Sequence, residues 1–246
     1  MKHLRLFESF EDIDSICKKY NIENYTINSD GTVDVDGDVY LSSQGLTKLP
    51  LKFGKVTGDF YCYDNKLITL EGGPIKVGGD FYCNNNKLIT LEGGPREVGG
   101  DFYCRDNKLT ILEGAPREVG GYFYCNNNKL ITLEGGPREV GGNFVCNYNQ
   151  LTTLEGGPIK VGGDFYCNNN KLITLEGGPR EVGGDFYCRN NPITSVYNLF
   201  PDYKSFMDSL DYNYIRGTDI VKLRFQEALD EIGIKLPEKI KGYNYI

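Results

Sequence analysis

Apolar positions along this chain recur at fixed offsets, one set every 21 residues, marked by Gly58, Gly79, Gly100, Gly121, Gly142, Gly163 and Gly184. Residues 79–99 serve as the unit: Gly-Asp-Phe-Tyr-Cys-Asn-Asn-Asn-Lys-Leu-Ile-Thr-Leu-Glu-Gly-Gly-Pro-Arg-Glu-Val-Gly. Alternation over 80–84 predicts a strand that sends Phe81 and Cys83 inward and Asp80, Tyr82 and Asn84 outward. Asn86, Leu88 and Leu91 continue the inward set, and Val98 closes the coil. A period of this kind predicts a solenoid, in which each unit buries its apolar side only against its neighbours.

An Asn stands where every strand turns away: Asn65, Asn86, Asn107, Asn128, Asn149, Asn170 and Asn191. A carboxamide has both donors and acceptors, so an asparagine ladder can satisfy backbone groups that a bend leaves unpaired. After the Asn too few residues remain for a helix of three turns. Pro74, Pro95, Pro116, Pro137, Pro158 and Pro179 sit in that stretch, so it is expected to be extended or 3₁₀. The glycine before each strand, from Gly37 and Gly58 onward, is the expected site of positive φ or of close backbone approach. Seven of the eight cysteines share one repeat position and form a cysteine ladder. Parallel side chains one strand apart are set too wide for a relaxed disulfide, which predicts reduced thiols used as small apolar residues.

The run of Phe, Cys, Asn and two Leu resembles the leucine-rich repeat, L-x-L-x-x-N-x-L-x-x-L, with Phe and Cys in the first two apolar slots. The fuller pattern, Gly-Asp-Phe-Tyr-Cys followed by Asn-x-Leu-x-x-Leu-Glu-Gly-x-Pro-x-x-Val, is similar to short 21-residue repeats of proteins encoded by tailed bacteriophages. The resemblance implies an α/β-type repeat solenoid, mainly β, with one parallel sheet, an extended or 3₁₀ convex side and helical caps at both ends. The Gly-Gly-Pro segment and the Cys are departures from the commoner leucine-rich pattern.

Three segments are expected: an N-terminal cap over 1–36, the solenoid over 37–195 and a helical cap over 196–246. Ser9, Asp12, Ile13, Ile16, Cys17 and Tyr20 read as a short amphipathic helix ending near Asn21. Tyr25-Thr26-Ile27 and Thr32-Val33-Asp34-Val35, joined through Asn28-Ser29-Asp30-Gly31, read as a hairpin. Near the C-terminus Thr218 or Asp219 caps a helix with Val221, Phe225, Ala228, Leu229 and Ile232 on one face and Gly233 at its end. Residues 1–10 resemble the leader that directs internal proteins of some tailed phages into the prohead. An ordinary cap helix is the other reading.

Charge and composition narrow the function. The formal net charge of -7 is uneven: residues 1–36 hold 4 basic and 8 acidic side chains, whereas 37–195 hold 16 and 18. No basic stripe points to nucleic acid, and no apolar run is long enough to cross a bilayer. The expected place is the cytoplasm, that of the host for a phage protein, with the virion as the alternative. The sole histidine, His3, stands at what is expected to be a mobile terminus, which leaves no Ser-His-Asp or Cys-His arrangement and no His-containing metal site. The chain reads as no enzyme, with no catalytic residue, metal or cofactor. The Asp59, Asp80, Asp101, Asp164 and Asp185 row reads as a solvated face rather than a calcium site.

The candidate binding surface is the outward Tyr column, Tyr61, Tyr82, Tyr103, Tyr124, Tyr166 and Tyr187, which offers rigid contact area with polar tips; good β-packing of stacked Tyr on parallel strands is the alternative, structural reading. Coils 79–99 and 163–183 are identical at all 21 positions, and coil 121–141 differs from them only at Tyr122. Either the ligand is itself periodic, or specific contacts lie where the pattern breaks: Tyr122, Asn143, Val145, Tyr148 and Gln150. The leading expectation is a leucine-rich repeat module for protein–protein interaction; a virion-associated phage protein and a binder of a repetitive glycan are the alternatives.

Overall fold

The computed structural model describes residues 13–192, apart from 174 and 176, and beyond them 215–216, 219–220, 222–231, 235, 238 and 244–245. It is a mainly-β solenoid with parallel sheets. The first helix, α1, covers 13–19 and ends with Asn21 at a φ of 52°, the left-handed conformation that closes many helices. Cys17 and Ile22 on its inner side are buried. The hairpin follows, Tyr25–Ile27 antiparallel to Val33–Val35. The Tyr25 hydroxyl donates to Asp14 Oδ1 at 2.6 Å and so ties hairpin to helix.

Each coil then contributes two strands, not one. Glu97–Val98 and its equivalents stack with Val33–Val35, Phe53–Val56 and the hairpin edge into a nine-stranded sheet. Phe81–Tyr82 and its equivalents form a second sheet of eight strands. Apart from the antiparallel hairpin edge, both run parallel with a register of one coil, Val77 on Val98 and Phe81 on Phe102. The single sheet expected from the alternation over 80–84 is thus corrected to two, with strands only two residues long. The second arises because a Lys or Glu facing out and a Val facing in repeat at every coil, so stacking brings their backbone groups into register. Among the described residues the return stretch holds turns and bends and no 3₁₀ helix.

Between the sheets runs one continuous core of Val, Phe, Cys and two Leu per coil, with Phe81, Cys83, Leu88 and Leu91 each at 0% exposure. The phenylalanine rings stack along the axis at 4.9–5.5 Å. The cysteines are free thiols in that core. Three of them, Cys104, Cys146 and Cys167, donate to the carbonyl of the next coil's Tyr124, Tyr166 or Tyr187.

The inward Asn binds coil to coil. Asn86 Nδ2 donates to Cys83 O and Asn84 O of its own turn and to Cys62 O of the preceding coil. Its Oδ1 accepts from Leu67 N, also of the preceding coil. The residue before each such Asn is left-handed, from Asp64 (φ 53°) to Asn190 (φ 57°), as the short polar side chains of Asp and Asn permit.

The glycine expectation divides. In the column before each strand only Gly37 has positive φ. The others are held by proximity, since a Cβ on Gly79 would lie 2.0 Å from Asp59 Oδ1. The left-handed glycines are instead Gly72, Gly93, Gly114, Gly135, Gly156 and Gly177, just after the Glu.

Near the C-terminus, helix α2, Lys222–Glu231, buries Phe225 and Leu229 one turn apart. Asp219 lies in a strand rather than at a helix cap: Asp219–Ile220 pairs with Ile215–Arg216 and Asn244–Tyr245 in a small sheet that the sequence pattern did not suggest. The leader-like residues 1–10, residues 193–195, and Thr218, Val221, Ile232 and Gly233 lie outside the described residues.

If the Asn bridges set coil stacking, Asn128→Ala will lower unfolding free energy by about 1–3 kcal/mol, because Leu109 N loses its acceptor in the interior while Cys104 O keeps only Asn107. Asn191→Ala, in the last described coil and partly solvated, will cost less; urea midpoints of the two variants compare them directly.

Candidate functional site

The outward side of the eight-stranded sheet is built from two columns. Apart from Tyr124, which follows Tyr122, each Tyr hydroxyl of the column donates to the Asp two residues earlier, at 2.7–2.9 Å in the pairs Tyr61–Asp59, Tyr82–Asp80, Tyr103–Asp101, Tyr166–Asp164 and Tyr187–Asp185. The other carboxylate oxygen accepts the backbone N–H of the next coil, as Asp80 Oδ1 does from Asp101 N at 2.7 Å. The Asp row, expected as a solvated face, is therefore part of the inter-coil bonding, with both oxygens engaged at Asp59, Asp80, Asp101 and Asp164. Among the described residues no cluster of three or more His, Cys, Asp or Glu is placed to hold a metal ion.

With their hydroxyls fixed, the rings stack. Tyr40, Tyr61, Tyr82, Tyr103 and Tyr124 follow one another at 4.6–5.0 Å with planes 5–8° apart. Tyr166 and Tyr187 form a second stack at 4.6 Å. Tyr40 was not among the sequence candidates, although Gly37-Asp38-Val39-Tyr40 repeats the coil's own start and its hydroxyl likewise donates to Asp38. Tyr63, also missed, packs edge-on against Tyr61 and Tyr82 at 6.4 Å.

The irregular candidates fall into separate places. Tyr122 occupies the Asp column and stands edge-on to Tyr124 at 6.0 Å. Asn143 occupies the Asp column one coil later, and its Oδ1 accepts Asp164 N at 2.7 Å. Val145 interrupts the ring stack, in register between Tyr124 and Tyr166. Tyr148 lies off the stack at the turn, 59% exposed and left-handed at a φ of 54°. Gln150 accepts from Lys171 Nζ at 3.3 Å.

The outer side of the nine-stranded sheet is different in kind. Lys76, Glu97, Glu118, Glu139, Lys160 and Glu181 stand in register, with ion pairs Lys76–Glu97 and Lys160–Glu181. A shallow groove of about 610 Å³ runs past Gly78, Gly99, Gly120 and Gly141. No helix among the described residues is long and apolar enough to cross a membrane.

The stack also holds its protons. Tyr82 and Tyr103 are raised above the ordinary phenol range by burial first and by the hydrogen-bonded Asp second, while for Tyr61, Tyr166 and Tyr187 the Asp comes first. Tyr25, beside Asp14, is pushed up to about 12. Burial raises Cys62, Cys83, Cys104, Cys125, Cys146 and Cys167 as well. Such thiols are poor nucleophiles.

Columns of this kind, repeated coil by coil on parallel strands, define a repeat solenoid with one aromatic and one charged face. Neither the family models nor the curated proteins searched match the sequence. Among solved structures, YopM from Yersinia enterocolitica WA-314 is similar over 64% of this chain at 18% identity, with a TM-score of 0.38. The chain covers 48% of that protein's length.

Groups whose folded pKa lies above the unfolded value contribute stability that is complete below the unfolded pKa and is lost as pH rises. For thiols and phenols the unfolded values are about 8.5 and 10, so the urea midpoint should be flat from pH 7 to 8 and fall steadily between pH 9 and 11. A midpoint unchanged at pH 11 would contradict the bonded, buried stack. Tyr148→Asn should raise stability by about 0.5–1 kcal/mol, since Asn tolerates the left-handed region that Tyr does not favour; the same urea titration at pH 7 measures it.

Proposed function

We propose that the chain is a non-enzymatic binding module that presents the Tyr, Asp and Asn face of its eight-stranded sheet to a protein partner. One observation carries the reading: the tyrosines form a stack whose rings are parallel and whose hydroxyls are held by Asp. Aromatic surface fixed before binding loses little side-chain entropy on association, and that loss is one of the costs an interface must overcome. Tyr is also a residue type enriched where proteins recognise proteins.

Sugar recognition is less well served by this face. It relies on many directional polar contacts, and here the Asp oxygens are already engaged by Tyr hydroxyls and backbone N–H groups. The phage origin and an action in the host cytoplasm rest on the likeness of the Gly-Asp-Phe-Tyr-Cys coils to phage repeats. A virion-associated role rests only on the leader-like start.

The test is affinity capture with mass spectrometry from producing cells, run with three baits: the native chain, a Tyr82→Ser/Tyr103→Ser variant and a Glu97→Gln/Glu118→Gln variant of the opposite face. The partner should be retained by the native chain and the Glu variant and reduced at least tenfold on the Tyr variant, with circular dichroism confirming that all three are folded. Loss on the Glu variant alone would move the interface to the other sheet.

A further inference from the structure

The ring stack is broken at one rung, and the break has a defined shape. Val145 is half-buried between Tyr124 and Tyr166 in neighbouring strands. Tyr124 is stacked on its other side by Tyr103, at 4.7 Å and 8°, and Tyr166 by Tyr187, at 4.6 Å and 6°. The two facing rings are therefore two rungs apart, roughly 9.5 Å at about 4.8 Å per parallel strand. That leaves room for one planar ring at ordinary stacking distance from both, with the Val145 methyl groups as floor and Tyr122 standing to one side.

The polar groups around the slot are altered in step. In the regular coils a carboxylate oxygen accepts the Tyr hydroxyl, as Asp80 Oδ2 does from Tyr82. Here Asn143 stands in that column and its Oδ1 already accepts Asp164 N, so its Nδ2 is turned to where the accepting oxygen would be. The rung offers a donor in place of an acceptor. The second change concerns Tyr124, which has Tyr122 rather than Asp two residues before it, and so lacks the carboxylate that holds the other hydroxyls. Both groups suit an incoming oxygen that accepts a hydrogen bond.

We propose that the slot between Tyr124 and Tyr166 binds one aromatic side chain of a partner protein, a tyrosine in preference to a phenylalanine, as the missing rung of the stack. The proposal rests on the reading of this face as a protein-binding surface and adds the residue type it selects. A nucleotide is disfavoured because its phosphate would meet Asp101, Asp164 and Asp185 on the same column. A sugar ring would find hydroxyl-binding groups only at one edge. The phenol oxygen of a tyrosine fits the Asn143 donor, and its ring gains two stacking neighbours.

The probe is N-acetyl-L-tyrosinamide, titrated into the full chain and followed by ligand NMR. Saturable binding is expected with a dissociation constant on the order of 1 mM, weaker by about fivefold for N-acetyl-L-phenylalaninamide for want of one hydrogen bond. Val145→Tyr fills the slot with the residue that the neighbouring coils carry, so it should fold, checked by circular dichroism, and abolish both. The proposal is overturned by unchanged binding to Val145→Tyr, by absence of saturation up to the solubility limit, or by tighter binding of uridine or maltose. Each of those results leaves the Tyr82/Tyr103 capture experiment standing, and failure of that capture with an intact slot would instead sink the wider reading of the face.

Discussion

One inward carboxamide per coil sets the geometry on which the remaining structure rests. Its Nδ2 hydrogens are shared among carbonyls of two successive coils, and its Oδ1 takes an N–H of the earlier one, as at Asn107 with Cys83 O, Cys104 O and Leu88 N. That contact fixes the turn directly after the Phe-Tyr strand. Once the turn is fixed, Phe and Cys are committed inward and Tyr outward, because adjacent strand residues must take opposite faces. A one-residue slip would expose the phenylalanines and bury the tyrosines, and the buried Asn would then have no carbonyl at its Nδ2.

The outer columns add a second set of bonds between coils. An Asp that bridges from its own Tyr to the next coil's backbone ties a surface ring to the stacking axis, so the rotamer of the ring is set by the fold rather than by a ligand. The same economy appears inside, where thiols donate to carbonyls one coil ahead at Cys104, Cys146 and Cys167. Polar groups are thereby used twice: to satisfy the stack and to hold the side chains that meet solvent. The opposite face is made differently, from exposed Lys and Glu in alternating runs, for which ion pairs at the surface contribute little.

Much of this was legible in the sequence, and what was not has a physical reason. The inward set Phe81, Cys83, Asn86, Leu88, Leu91 and Val98 follows from period and alternation alone. The second sheet does not, because two residues, Glu97–Val98, carry too little alternation to mark a strand; only the copy above and below supplies its hydrogen bonds. Which glycine column would be left-handed, and which held by close approach, was not legible for a related reason. Sequence constancy at Gly79 reflects crowding against Asp59 of the previous coil, a tertiary contact, whereas the turn at Gly93 requires positive φ locally. Tyr and Asp were visible as two outward rows, but not that each Tyr hydroxyl ends on its Asp, since the rotamer follows from stacking that one coil does not show.

Repetition limits what such a face can say. Identical coils present identical groups, so a partner bound to one could bind as well one rung along, and register would be degenerate. Specificity then requires that some rung differ in both shape and hydrogen-bonding sense. Tyr122, Asn143 and Val145 supply such a rung within two adjacent coils: a missing ring, a donor where the others carry an acceptor, and an edge-on wall. Tyr148 lies in the same coil as the missing ring and holds a left-handed conformation for which its neighbours use Asp or Asn, a conformation less favourable for tyrosine.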